Sequence, residues 1–151
     1  LDKALEYAQA ALPTIDPYSE ERMQVLAFQM ECLQQQGQTS KSVITRLGRE
    51  FVECGQVVQF LSDSQYEIQS MMANAYSLLG ETEKAADAIV RAWIVAQGAK
   101  RTALAMPLAR LLHAAGREER ALELLRRAER ETLGDANIVG AIAWLETRNL
   151  R

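Results

Sequence analysis

The chain has 151 residues, of which 48% are hydrophobic and 25% are charged, and its net charge is −3. This composition is typical of a soluble folded protein and excludes a disordered chain. No apolar run approaches the roughly 18 residues that a membrane span requires. No basic stretch followed by an apolar stretch indicates a signal peptide. We therefore expect no membrane association.

Apolar residues recur at helical spacing along the chain, and no segment shows the alternation that a strand requires. Proline and glycine divide the pattern. Asp16 is the expected N-terminal cap of the second helix, and Gly37 is its expected end. The sequence predicts an all-α fold of about seven to eight helices. They lie near residues 2–12, 18–36, 40–54, 65–79, 82–97, 101–115, 118–132 and 136–149.

Two stretches depart from regular helical pairs. Residues 55–63 predict a short extra helix or a wide turn, with Val57, Val58, Phe60 and Leu61 covering the core. Pro107 falls inside a predicted helix, where it removes one hydrogen bond. Either this helix starts late, with Pro107 in its first turn, or it is kinked at the proline. A kink would direct the side chains that follow it toward a groove.

Cys32 and Cys54 are the only cysteines, and each falls inside an apolar helical pattern. Two buried thiols are expected, because a disulfide framework or a zinc site needs more ligands at closer spacing. We predict a cytoplasmic protein with no metal and no cofactor. The chain begins with Leu1, and residues 2–12 have the pattern of the second helix of a pair, so we expect a segment of a larger protein.

The second part of the chain is rich in arginine, with nine basic and seven acidic side chains in residues 101–151. A nucleic-acid surface requires a basic stripe that makes several phosphate contacts. Arginines here alternate with glutamates at helical spacing, which favours pairing within the helix and predicts no direct contact with nucleic acid. The alternating residues are Arg126, Arg127, Arg130, Glu123, Glu129 and Glu131.

A spacing of small, bulky and glycine residues occurs twice, 36 residues apart. The first copy is Ala73, Tyr76, Gly80, Ala85, Ile89 and Ala92. The second copy is Ala109, Leu112, Gly116, Ala121, Leu125 and Ala128. A period of this length is typical of a helix-turn-helix unit, which buries its apolar face by stacking on its neighbours into a solenoid.

This spacing resembles the tetratricopeptide repeat, in which small residues stand where two helices cross and glycine stands at the turn. The resemblance implies a right-handed superhelix of antiparallel helix pairs in a single domain. Its units would be 1–16 (a half repeat), 18–54, 64–98, 101–133 and a terminal helix at 135–151. The unit around Gly37 departs from the pattern, because Ser42, Arg46 and Arg49 stand where alanine, a bulky residue and alanine are expected.

In tetratricopeptide proteins the first helix of each pair lines a concave groove that binds a partner. Carried over to this chain, the polar groove positions are Glu31, Gln34, Glu67, Ser70, Asn74, Ser77, Arg110 and His113. Gln24, Ala27, Ala103 and Met106 share the inward positions. One subclass grips the acidic end of a chaperone with a clamp of lysine, asparagine and arginine. Ser70, Ala103 and Pro107 replace the basic clamp residues, so we expect no such clamp.

Several single residues have two interpretations. His113, the only histidine, either contacts a ligand in the groove or lies on a polar helix face. Asn74 either contacts a ligand or ties neighbouring helices together. Trp93 and Trp144 lie on apolar faces, which predicts core anchors.

No phosphate-binding glycine loop, flanked nucleophile or isolated carboxylate pair occurs, so we predict that the chain is not an enzyme. The resemblance implies a scaffold or adaptor that binds a partner protein or peptide through the concave face. The alternative is a sensor domain of a bacterial multidomain transcriptional regulator, because residues 108–129 resemble helical units of MalT-type LuxR-family activators. Exposed terminal helices also predict a tendency to self-associate.

Overall fold

A computed structural model describes residues 2–37 and 41–149, and these two stretches contain helices and no strand. The predicted all-α class is confirmed for them. The helices are α1 (Asp2–Ala11), α2 (Glu20–Gln36), α3 (Lys41–Val58), α4 (Gln65–Leu78), α5 (Thr82–Val95), α6 (Ala99–Ala103), α7 (Ala105–Ala114), α8 (Glu118–Thr132) and α9 (Ala136–Asn149), and a 3-10 turn spans Leu12–Thr14. None of these helices combines the length and the apolar character needed to span a membrane.

The chain divides into two compact units, Leu1–Glu81 and Thr82–Arg151, called unit 1 and unit 2 below. In unit 1, α2 contacts α1 and α3, and α3 contacts α4. In unit 2, α7 contacts α5, α8 and α9, and α8 also contacts α9. The division falls between α4 and α5.

Two of the predicted glycine turns have the same geometry at positions 36 residues apart. Gly80 has a φ of 75° and Gly116 a φ of 72°, a left-handed conformation that glycine adopts without steric cost. After each glycine, the next residue donates a backbone hydrogen bond five residues back, at 2.9 Å and 2.8 Å respectively. This pattern is a Schellman cap, which satisfies carbonyls at the helix end. The glycine breaks are confirmed.

The cap of α2 differs from the predicted one. Ser19, in an extended conformation, accepts a hydrogen bond from the Arg22 backbone N–H at 3.2 Å. Asp16 instead accepts from the Tyr18 backbone N–H at 2.9 Å, which closes a turn before the helix. The prediction of Asp16 as the cap was wrong because an aspartate can bond to the backbone two residues on as readily as it caps a helix.

The prediction for residues 55–63 was also wrong in part. Helix α3 continues to Val58, which is buried, and the predicted start at residue 40 lies outside the described residues. The chain then turns, and Phe60 and Leu61 are 82% and 77% exposed. The turn directs these two side chains away from the core because Val58 already completes the buried stripe of α3. Val57, predicted to cover the core, is also exposed.

Gly55 permits the close packing of this longer α3. A Cβ atom at Gly55 would lie 3.0 Å from Met23 Cε and 3.1 Å from Met72 Sδ. An added side chain would require both methionines to shift by a few tenths of an ångström. Gly55 therefore has a packing role within a helix, where glycine is otherwise unfavourable.

Pro107 explains why nine helices are found in the described residues and not seven or eight. The predicted helix at 101–115 is split at Leu104 into α6 and α7, and Pro107 is the third residue of α7. Proline is tolerated in a first turn because its missing N–H has no partner there. The late start is therefore the arrangement found, since α7 begins two residues before this proline.

The arginines of α8 pair both within their helix and beyond it. Arg127 Nε lies 3.9 Å from Glu131, as the spacing predicted. Arg126, however, binds Glu146 of α9 at 2.8 Å. The prediction of pairing within the helix was thus wrong for Arg126, because the spacing within one helix does not reveal carboxylates on the next one.

The predicted core anchors and thiols are placed as follows. Cys32 and Cys54 are both buried and unpaired, as expected. Trp93 is buried, while Trp144 is only half-buried and lies beneath the guanidinium of Arg148, whose carbon is 3.9 Å from the ring centre.

Candidate functional site

Three of the predicted site residues, Glu31, Gln34 and Asn74, line one groove in unit 1. The groove has a volume of about 310 Å³ and is formed by α2, α3 and α4. The other side chains that line it are Ala27, Met30, Phe51, Met71, Ala75 and Leu78. We call this set of nine residues the α2–α4 groove.

The groove exists because of the sizes of the side chains at its base and on its walls. Helices α2 and α4 each contact α3 more closely than they contact each other. Phe51 of α3 and Met30 of α2 are buried at the base, where they fill the space between the helices. Ala27 and Ala75 on the walls have small side chains, and the volume that larger ones would fill stays open.

The rim of the groove is polar. Glu31, Gln34 and Asn74 are all exposed. Glu31 accepts a hydrogen bond from Gln35 Nε2 at 3.4 Å, and it forms no ion pair within the described part of the chain. Unit 1 carries five basic and eleven acidic side chains, which gives it a net charge of −6. The groove therefore combines an apolar base with an acidic and amide rim.

The three remaining predicted residues of unit 1 do not line this groove. Glu67 and Ser77 are exposed elsewhere on α4. Ser70 is half-buried, and its hydroxyl oxygen is buried without a hydrogen-bond partner in the described residues. Residues on one helix spaced by three or four positions share a broad face, and only part of that face borders the groove.

Arg110 and His113 lie on α7 in unit 2, and Arg110 is exposed. The ring of His113 packs edge-on against Trp144, with 5.3 Å between ring centres. Its Nδ1 atom lies 2.9 Å from Glu118 Oε1, which is an ion pair when the imidazole is protonated. When Nδ1 carries no proton it can only accept a hydrogen bond, and no donor for it lies among the described residues. His113 thus has partners within its own unit.

The sequence missed most of the groove's apolar lining. Met30 and Phe51 follow the helical spacing of apolar residues, and both are buried. That spacing gave no sign that one edge of this core is open. The only signal was the pair of alanines, Ala27 and Ala75, among larger apolar residues on their helices. Gln24, a predicted inward position, lines a separate apolar surface with Tyr7 and Phe28.

No metal-binding cluster is present in the described ranges, since no three His, Cys, Asp or Glu side chains are grouped there. Comparison of the chain with protein-family models, with curated proteins and with solved structures gave no match.

Proposed function

We propose that the chain is a protein-interaction module that binds a peptide segment of a partner in the α2–α4 groove. The observation that carries this proposal is the combination of an apolar base and an exposed polar rim in one cleft. Sites for ligands are typically concave and apolar, with few polar groups that fix orientation. Met71 and Leu78, which are half-buried in the groove, would contact an apolar side chain of the peptide, while Gln34 and Asn74 would bind its backbone amides.

Charge favours a peptide that also carries a basic side chain. Glu31 lies on the rim without an ion pair among the described residues, and unit 1 has a net charge of −6. Complementary charge increases the rate of encounter and excludes acidic partners. We therefore propose a peptide with an apolar residue for the base and a lysine or arginine for Glu31.

We also propose that the helices form a tetratricopeptide-like, right-handed array. Two observations support this arrangement. The Schellman caps at Gly80 and Gly116 recur with the period of the repeat. Within each unit, the contacts join helices that are close in the chain, which is the contact pattern of repeat proteins.

The proposal is tested by selecting peptides from a displayed random library on the intact chain. Selected peptides are expected to combine apolar and basic residues. Their affinity is then measured by calorimetry for the wild type and for Glu31→Lys. The substitution should weaken binding at least about tenfold, because it replaces an attraction with a repulsion. Peptides in which the basic residue is exchanged for glutamate should bind Glu31→Lys better than they bind the wild type.

A matched control is Glu53→Lys, which reverses an exposed charge on α3 outside the groove. This variant has the same net charge as Glu31→Lys, so it accounts for long-range electrostatics. Equal loss of affinity in both variants would show that the peptide responds to overall charge and not to the groove. Selected peptides without basic residues would contradict the role of Glu31.

A further inference from the structure

A second cleft lies in unit 2, where α5, α6 and α8 meet. It has a volume of about 250 Å³. Its apolar wall consists of Ile94, Leu124 and Ala128, and Trp93 lies at its base. Its charged residues are Arg101, Arg127 and Glu131. We call these seven residues the arginine cleft.

Two arginines approach a single carboxylate in this cleft. Arg101 Nη1 lies 3.5 Å from Glu131 Oε2, and Arg127 Nε lies 3.9 Å from Glu131 Oε1. Both distances exceed those of a good charge-assisted hydrogen bond. One carboxylate cannot neutralise two guanidinium groups, so the cleft has a net charge of about +1 from these three side chains.

Arg101 is held in place but keeps an unused donor. Its guanidinium carbon lies 5.5 Å from the centre of the Trp93 ring, and its side chain is 28% exposed. Its Nε atom is buried and has no hydrogen-bond partner among the described residues. A buried donor without a partner is costly, and the donors that a ligand can reach are those of the part-exposed Nη groups.

From this geometry we infer that the arginine cleft binds a carboxylate attached to an apolar group. A planar carboxylate matches the end of a guanidinium, whose two Nη groups donate parallel hydrogen bonds. The apolar wall favours a hydrocarbon next to the carboxylate over a bare phosphate. The exposed Ile94 and the half-buried Leu124 would be covered by that hydrocarbon. This site is independent of the α2–α4 groove, which is acidic.

The simplest probe is N-acetyl-L-leucine, which carries one carboxylate and one apolar side chain. N-acetyl-L-leucinamide is its matched neutral control. Binding is measured by NMR titration of the intact chain, following the indole N–H signals of the two tryptophans. The Trp93 signal should shift with the acid and not with the amide, with a Kd on the order of 1–10 mM for so small a ligand. Trp144 does not line the cleft, so its signal is an internal reference.

Arg101→Lys keeps the positive charge and removes the guanidinium fork, and we expect it to weaken binding about tenfold. Arg120→Lys is the matched control, since Arg120 lies on α8 outside the cleft and pairs with Glu123. Circular dichroism of each variant verifies that the helices are retained. Should Arg101→Lys lose helicity, Arg127→Lys provides a second charge-conserving test at a side chain that is 76% exposed.

Two results would overturn the inference. Equal shifts of the Trp93 signal with the acid and the amide would show that the carboxylate is not recognised. Binding of inorganic phosphate without binding of N-acetyl-L-leucine would show a site for a small inorganic anion instead. A peptide that ends in leucine distinguishes the sources of the carboxylate: tighter binding than N-acetyl-L-leucine indicates a peptide C-terminus, and equal binding indicates a small free acid.

Discussion

The hydrophobic cores of the two units are built from side chains of different sizes. Among the described residues, unit 1 has three buried alanines and unit 2 has ten. The core of unit 1 depends on larger side chains such as Met23, Phe51 and Met72. Small residues let helix axes approach closely, while large ones hold them apart. The comparison indicates that residue size decides where neighbouring helices leave a groove between them.

The two units also differ in charge. Unit 1 has a net charge of −6 and unit 2 a net charge of +3. In unit 2 an arginine often joins two helices, as Arg117 does when it binds Glu83 and Asp87 of α5. These hydrogen bonds raise the pKa of Arg117 above its ordinary value. The proposed sites follow the same division, with a basic peptide for unit 1 and a carboxylate for unit 2.

The largest expected effect comes from enlarging a buried alanine in each unit. Ala109→Leu in unit 2 should lower the free energy of unfolding by about 1–3 kcal/mol, because the tightly packed helices have no space for the added atoms. Ala75→Leu in unit 1 should cost less than about 1 kcal/mol, because its side chain can extend into the α2–α4 groove. Urea unfolding measures both values.

Ala114→Leu is the control for this pair, since Ala114 is exposed on α7 and leucine is nearly as good a helix former as alanine. Equal destabilisation by Ala109→Leu and Ala75→Leu would contradict the difference in packing. Ala75→Leu should also block the proposed peptide.

The N-terminal caps of α9 and α2 should differ by a smaller amount in their contribution to stability. Asp135, before α9, accepts hydrogen bonds from the backbone N–H groups of Asn137 and Ile138 at 2.9 Å and 3.3 Å. Ser19, before α2, accepts one such bond. We expect Asp135→Ala to cost about 1–2 kcal/mol and Ser19→Ala about 0.5–1 kcal/mol. Urea unfolding again provides the measurement. Asp16→Ala should cost less than Ser19→Ala, and the reverse order would restore Asp16 as the cap of α2.

The smallest expected effect is a change of the free energy of unfolding with pH. It is limited to unit 1, which contains both cysteines. Burial raises the pKa of the Cys54 thiol, and the positive charge of the nearby Arg22 partly opposes this shift. A raised pKa in the folded state stabilises the fold fully below the unfolded value of about 8.5. This contribution is lost as the pH rises through the folded pKa.

The stability of the wild type should therefore fall above pH of about 8.5 relative to that of Cys54→Ala. Iodoacetamide should also modify Cys54 more slowly in the native chain than in urea, as followed by mass spectrometry. Modification at the same rate in both states would contradict the burial of this thiol.

The helices themselves were largely readable from the sequence, and their predicted ends agree with the structure best where glycine or proline stands. Gly37, Gly80 and Gly116 all have positive φ, because a helix end commonly needs a conformation that other residues resist. The start of α7 was left open by the sequence, since Pro107 is compatible with a late start and with a kink. In the structure the short helix α6 ends at Ala103 and α7 begins at Ala105, so the helix that contains Pro107 starts late.

The site was harder to predict, because a groove is a property of several helices together. Glu31, Gln34 and Asn74 were selected by their positions in the repeat, and the structure brings them to one cleft. Glu67, Ser70 and Ser77 were selected by the same rule and lie outside it. The arginine cleft had no sequence signal, because Arg101 and Glu131 are 30 residues apart in the chain and belong to different helices.

The sequence by itself determined the helical class, the positions of the glycine turns and most of the apolar face of each helix. These features depend on local backbone preference and on periodicity within one helix. Only the tertiary structure decided which helices approach closely, where a groove stays open and which arginine keeps an unused donor. Those outcomes depend on side-chain volumes and partners from different helices, and the pattern of a single helix contains neither.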